Sequence, residues 1–244
     1  MILTKEQILL SSKISSIDAD IRLDEFNKHK TLESKYYDLI KVKEIFPNAN
    51  YFDIGAIEGL YGQIDDYLFI MFRGSDSIID WIRNFIFFKQ VIPYDGTNPE
   101  IKVHAGFLKS YKSVREFVHK IVKESNVKKI IIFGHSMGGA VSALAALDIQ
   151  YNFSDKEIGC FTIGTPKIGN ESFKKSFERR LPDYKTASYG DDIVPQIPPK
   201  FFGYVDLEKF YNIGPERKKG IGSFKHHDWH FYDKALHDEI EKLL

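Results

Sequence analysis

The stretch Lys128-Lys129-Ile130-Ile131-Ile132-Phe133-Gly134-His135-Ser136-Met137-Gly138-Gly139 decides the fold. Four consecutive apolar residues of high β preference run into a glycine, which is the pattern of a short strand buried on both faces. An Ala-rich stretch reaching about Ile149 follows within a few residues and reads as a helix. Between them Gly134-His135-Ser136-Met137-Gly138 fits G-x-S-x-G, and a strand-to-helix turn is the setting in which that pattern exposes a nucleophilic serine. Ser136 then sits near a helix N-terminus, whose dipole and free N–H groups stabilise a developing oxyanion. The bland alternative is a structural glycine turn whose serine only caps the helix. The strand before and the helix after favour the nucleophile.

Working outward, the pattern alternates. Phe107 to Glu124 carries apolar residues at helical spacing, Ile158 to Ile163 is a strand broken by Gly164-Thr165-Pro166, and Ser172 to Arg180 is a helix. A strand at Tyr184 to Ser188, a Pro-rich loop from Asp191 to Pro199, a strand pair within Phe202 to Ile213 and a last helix over Asp233 to Leu243 complete this half. Ala56 to Tyr61 and Tyr67 to Phe72, separated by Gly62 to Asp66, read as a hairpin, and Pro93 to Pro99 as a loop. Thr4 with Gln7 forms a capping box for a first helix, and a second spans Ser34 to Phe46 before Pro47. Strands alternating with helices predict an α/β fold, a mostly parallel twisted sheet with helices on both faces. No repeat or long linker divides the 244 residues, so a single domain over 1–244 is expected.

Composition narrows the function. Lys plus Arg and Asp plus Glu are both 34, so the balanced charge gives no global reason to bind nucleic acid. The short basic groups Lys174-Lys175, Arg179-Arg180 and Arg217-Lys218-Lys219 read as solvated faces, or as contacts for anionic lipid head groups. Cys160, the only cysteine, excludes an intrachain disulfide and multi-cysteine metal sites, and reads as a small core residue. Lys5, Glu6 and Gln7 interrupt the N-terminal apolar run, and no stretch reaches the roughly 20 apolar residues of a membrane span, so a soluble cytosolic chain is expected.

A serine hydroxyl needs a base and an orienting acid, and in the chain order that goes with a strand–G-x-S-x-G–helix elbow both follow it, acid first and histidine second. Asp191-Asp192-Ile193-Val194-Pro195 and His226-His227-Asp228-Trp229-His230 satisfy that order, with three histidines competing for one role. The same cluster has a metal-site reading through His226, His227, Asp228 and His230, although adjacent histidines need not face one centre.

These motifs together carry a resemblance. Phe72-Arg73-Gly74-Ser75 with Trp81, Val103-His104-Ala105-Gly106-Phe107, the elbow with Gly139, Gly164-Thr165-Pro166-Lys167-Ile168-Gly169-Asn170 and Asp192-Ile193-Val194-Pro195 resemble the class 3 lipases. These are the filamentous-fungal type of triacylglycerol lipase within the α/β-hydrolase fold, and the likeness runs from about Tyr51 to Tyr232. The resemblance implies Ser136 as nucleophile, Asp192 as the acid that orients the histidine, and His227 as general base and acid, with His226 and His230 as alternatives. It implies an oxyanion hole from Ser75 and the Met137 N–H. It also implies a lid over 76–88, with Ile78, Ile79, Trp81, Ile82 and Phe85 facing an acyl groove and Asp80, Arg83 and Asn84 on the wet side; an ordinary core helix is the alternative. The N-terminal segment 1–46 lies outside the likeness and is expected to pack on the sheet. The implied activity is hydrolysis of acylglycerols or related lipid esters without cofactor or metal, with transient contact at a lipid interface. A phospholipase, a short-chain esterase or an acyltransferase would use the same residues, and a silent binding member of the fold would keep only the architecture.

Overall fold

The computed structural model describes residues 3–13, 46–55, 57–73, 88–92, 98–207, 210–218, 220 and 222–243. Among them, seven strands form the main sheet: β1 (Asn50–Ile54), β2 (Ile57–Ile64), β3 (Tyr67–Phe72), β6 (Lys129–His135), β7 (Glu157–Ile163), β8 (Lys185–Tyr189) and β9 (Phe210–Ile213), in that spatial order. β1, β2 and β3 pair antiparallel; from β3 onward every pairing is parallel. β4 (Lys89–Val91) and β5 (Lys102–His104) pair as a separate two-stranded ribbon.

Side-chain alternation assigns the two faces. Ile130, Ile132 and Cys160 point into a core shared with helices α2 (Ala105–Glu124), α3 (Met137–Asn152) and α4 (Glu171–Arg180). Ile131, Phe133 and Phe161 point to the opposite core, closed by α5 (Trp229–Glu239) and by α1, residues 5–13. The mostly parallel sheet covered on both faces is as expected, and Cys160 lies within the first core. Buried between sheet and α2, α3 has Ala140, Ala143, Ala145 and Ala146 where larger side chains would hold the layers apart.

Asp148 is the charged exception inside that helix. It is fully buried and accepts hydrogen bonds from Tyr111 Oη at 2.6 Å, Arg115 Nε at 2.7 Å and Asn152 Nδ2, and pairs with His119 Nε2 at 2.7 Å. Its partners from α2 and from its own helix compensate the cost of burying the carboxylate.

Several elements depart from the sequence reading. β1 has no counterpart in it, and β2 runs through Gly62 to Ile64 instead of ending at Tyr61. Gly62 is a packing glycine, not a turn: a Cβ there would collide with the Asn48 carbonyl oxygen and the Phe46 ring. Among the described residues the strand pair expected within 202–213 is one strand, Phe210–Ile213, and Lys200–Phe202 wind into a 3-10 turn that ends at left-handed Gly203. α5 starts at Trp229 instead of 233, since the Asp228 side chain caps it through the His230 N–H. Most of the segment 1–46 lies outside the described residues, including all of the helix expected over 34–46 except Phe46. Of the part that is described, Leu3 and Ile8 pack on the second face and Ser12 Oγ bonds Asp233 at 2.6 Å.

Candidate active site

The carboxyl ends of the parallel strands gather the candidate residues, as expected for an open α/β sheet. β6 ends at His135, and the chain turns through Ser136 at φ 58°, ψ −128° into α3. A positive φ at a non-glycine residue is strained by about 1–3 kcal/mol. It is held here by the Ser136 N–H donating to Ile163 O on β7 at 3.0 Å and by the Ser142 hydroxyl donating to Phe133 O at 2.8 Å. The two glycines of the motif permit the tight crossing. A Cβ on Gly134 would meet the Gly138 carbonyl and the Ser142 hydroxyl, and one on Gly138 would collide with Phe72 O. Gly138 therefore sets the elbow directly against the end of β3. Met137 opens α3, so no preceding turn of helix supplies an acceptor for its N–H.

Asp192 and His227 come together through local pairing. The chain at Asp192 forms a parallel bridge with Ser223, and the Ser223 N–H donates to Asp191 O at 2.8 Å. Beyond Ser223 the 3-10 turn Lys225–His227 carries the His227 ring back to the acid. His227 Nδ1 lies 2.8 Å from Asp192 Oδ2, with both side chains buried. The carboxylate is an acceptor, so the proton belongs on Nδ1 and the lone pair on Nε2. Asp192 Oδ1 accepts the Val194 N–H at 2.9 Å, and Oδ2 also accepts the Tyr232 hydroxyl at 2.5 Å. Burial first, and then the adjacent Asp192, hold the Tyr232 phenol well above its ordinary pKa, so it stays a donor.

The neighbours of these residues are engaged elsewhere. Asp191 Oδ1 accepts the Lys218 N–H at 2.6 Å, His226 Nδ1 accepts the Asp191 N–H at 3.0 Å, and His230 Nδ1 is 2.7 Å from Asp228. The three clustered histidines thus address three different partners, and only His227 meets Asp192.

His135, directly before Ser136, stacks on His227 with ring centroids 4.5 Å apart and planes at 28°. Both rings flank Gly164, where a Cβ would lie 3.0 Å from each. Ser136 Oγ and His227 Nε2 are buried and have no hydrogen-bond partner among the described residues. Ser75 and the lid positions Ile78, Ile79, Trp81, Ile82 and Phe85 lie outside the described residues, as does the rest of 76–87; Phe88 is described and is 72% exposed.

Two residues with evident positioning contacts carry no role in the sequence reading. Tyr232 is visible there only as an aromatic following the histidine. Lys167, part of the Gly-Thr-Pro-Lys stretch, donates from Nζ to Pro195 O at 3.0 Å and from its backbone N to Ile197 O at 2.8 Å, which fixes the loop carrying Asp192. Burial draws the Lys167 ammonium below its usual pKa, opposed by Asp206.

A mostly parallel sheet with a strained serine where β6 meets a helix, and an acid–histidine pair on the loops beyond it, is an α/β-hydrolase fold. The comparisons give the family. A family model described as Lipase (class 3) matches residues 69–202, more than half of the chain, and the chain belongs to that family. It is 34% identical over 146 residues to a lipase of Rhizopus niveus, covering 57% of this chain and 36% of the relative. It is 30% identical over 136 residues to the secreted mono- and diacylglycerol lipase 1 of Fusarium solani, covering 54% of this chain and 39% of the relative. The match therefore spans well under half the length of these curated lipases. A solved triacylglycerol lipase whose catalytic centre is described as a serine protease triad superposes with a TM-score of 0.63 at 27% identity, over 70% of this chain and 69% of that one.

The cytosolic expectation is corrected by these relatives. The Fusarium solani lipase is a secreted protein, as is a Malassezia globosa mono- and diacylglycerol lipase 33% identical over 119 residues, and the cytosolic placement does not stand against them. The expectation rested on the lack of a leader in the sequence, and a lack of that kind carries no information about export. Among the described residues no helix is long and apolar enough to cross a membrane.

Proposed function

We propose that the protein is a serine carboxylic-ester hydrolase acting on acylglycerols. Ser136 Oγ attacks the ester carbonyl while its proton passes to His227 Nε2. The negative charge on the carbonyl oxygen is taken up by the Met137 N–H and by Ser75. Collapse of the tetrahedral intermediate breaks the bond to the alcohol, which leaves with the proton from His227. Water then loses a proton to His227 and attacks the acyl-serine, releasing the fatty acid and restoring Ser136. Asp192 orients the imidazole through the Nδ1–H and stabilises the imidazolium.

The observation that carries this reading is that Ser136 Oγ and His227 Nε2 are both buried without a hydrogen-bond partner among the described residues, with Asp192 committed to the other side of the imidazole. Buried polar atoms are nearly always satisfied, and a reacting pair gives both atoms a use. The names of the relatives support acylglycerols as the substrate class.

Initial rates on p-nitrophenyl esters from acetate to palmitate, with and without a lipid–water interface, test it against Ser136→Ala. The expected result is turnover on longer chains that rises at the interface and is lost in S136A. Activity confined to soluble short esters would make the protein an esterase. Residual turnover in S136A, or none in the wild type, would overturn the serine mechanism on these substrates.

A further inference from the structure

We infer that the turn Lys200–Phe202 is a docking anchor for an uncharged lipid–water interface, held out beside the candidate active site. Phe201 is 82% exposed and Phe202 42%, with ring centroids 4.4 Å apart. Phe88, 72% exposed, stands at the foot of the same turn. Exposed rings are ordinary when scattered; adjacent on one turn they make an apolar patch that marks a contact surface.

The turn is firmly tied below its rings. Lys89 Nζ donates to Phe202 O and lies 4.6 Å from the Tyr204 ring centre, while the buried Tyr204 places its hydroxyl 3.5 Å from Phe88 O. The Phe202 N–H donates to Pro199 O at 3.1 Å and the Val205 N–H to Gly169 O at 3.1 Å. Backbone and cation are both used to hold the rings outward, so exposure here is built in rather than a frayed end.

Charge chooses the occupant. Lys89 is directed inward, onto Phe202 O and the Tyr204 ring. Lys200, though 73% exposed, pairs with Asp206 at 2.8 Å. Each of these two ammonium groups is held by a group of the protein, so the part of the turn offered outward is its rings, which match a neutral acyl surface better than an acidic protein or an anionic bilayer. Position agrees with this. The turn belongs to the same loop as Asp192, which is tied at Pro195 to Lys167 Nζ and at Val205 to Gly169 O, so the rings stand a few residues along the chain from the candidate acid. The inference rests on the proposed ester hydrolysis only for the benefit of docking there, and the binding itself is measurable without turnover.

Flotation of the S136A protein with phosphatidylcholine-coated triolein droplets tests it, so that hydrolysis plays no part in the readout. Phe201→Ser is expected to lower droplet partitioning about tenfold and Phe201→Ser/Phe202→Ser about a hundredfold, the scale of withdrawing one and then two rings from water. Phe201→Trp is expected to restore it. Binding of the unsubstituted S136A chain is expected to change less than twofold when phosphatidylglycerol is added. On the Ser136 background, kcat/KM for p-nitrophenyl acetate and the melting temperature are expected to be unchanged by Phe201→Ser. Partitioning that ignores both rings would overturn the inference, and so would binding that appears only with phosphatidylglycerol. Loss of soluble-ester turnover in F201S would also overturn it, because the turn would then be supporting the site itself. Failure of the wild type on every ester, with droplet binding intact, would sink the hydrolase reading and leave the anchor standing.

Discussion

Tyr232→Phe would take one hydrogen-bond donor away from the buried acid and leave almost everything else in place. The ring still fills its position 5.6 Å from His135 and 6.0 Å from Tyr189. What disappears is the hydroxyl donating to Asp192 Oδ2 at 2.5 Å. A hydrogen bond to a charged acceptor contributes about 1.5–3 kcal/mol. Asp192 keeps the Val194 N–H at 2.9 Å and His227 at 2.8 Å, so the loss in stability is expected in the lower part of that range, about 2 kcal/mol. Turnover should fall less than on loss of the acid itself. His227 is still aimed by Asp192, so kcat on a soluble ester is expected to drop about tenfold, against about ten-thousandfold for Asp192→Asn. KM should not move, because Tyr232 is buried behind the acid. The deciding assay is the double-mutant cycle. In the D192N background, removing the hydroxyl should cost less than about twofold in kcat, since the charge it orients is gone. If Y232F kept full turnover, or cost the same tenfold with and without the Asp192 charge, the reasoning that Tyr232 positions the acid would be refuted.

Two further outcomes follow from the same geometry. His227→Ala is expected to lose about three to four orders of magnitude in kcat, while His226→Ala and His230→Ala each change it less than about threefold, by steady-state kinetics on one soluble ester. For Asp148, burial raises the carboxyl pKa, but hydrogen bonds from His119, Arg115 and Tyr111 outweigh it and the net shift is downward. A carboxylate held low in the fold stabilises it above the ordinary aspartate value of about 3.9 and loses that contribution as pH falls through the lower folded value. Urea unfolding should show Asp148→Asn less stable by about 3 kcal/mol at pH 7, with the gap to wild type narrowing toward pH 3; equal gaps at both pH values would contradict the assignment.

The elbow was readable because its signals are local. A β run, two glycines around a serine and an Ala-rich helix follow one another within twenty residues, and each has its own backbone reason. Asp192 and His227 needed the family resemblance, since nothing in the order of Asp191, Asp192 and the three histidines separates them. The bridge of Asp192 to Ser223 does separate them, and that pairing is a long-range event with no sequence period. Gly62 misled for the same reason: its partners, Asn48 and Phe46, lie across the strand. The roles of Tyr232 and Lys167 were illegible because each is defined by an acceptor on a distant loop, Asp192 Oδ2 and Pro195 O. The 3-10 turn at 200–202 fell between two sequence readings, the Pro-rich loop ending at Pro199 and the strand pair expected from Phe202.

The arrangement of acid and base has a consequence for how the protein is made. Every strand of the sheet, the serine elbow and Asp192 are encoded by residue 213, whereas His227 and Tyr232 come later in the chain. A ribosome therefore builds the scaffold and the nucleophile before it releases the imidazole that activates them. Until that last stretch has emerged and closed onto Asp192, the nascent protein has a serine with no base.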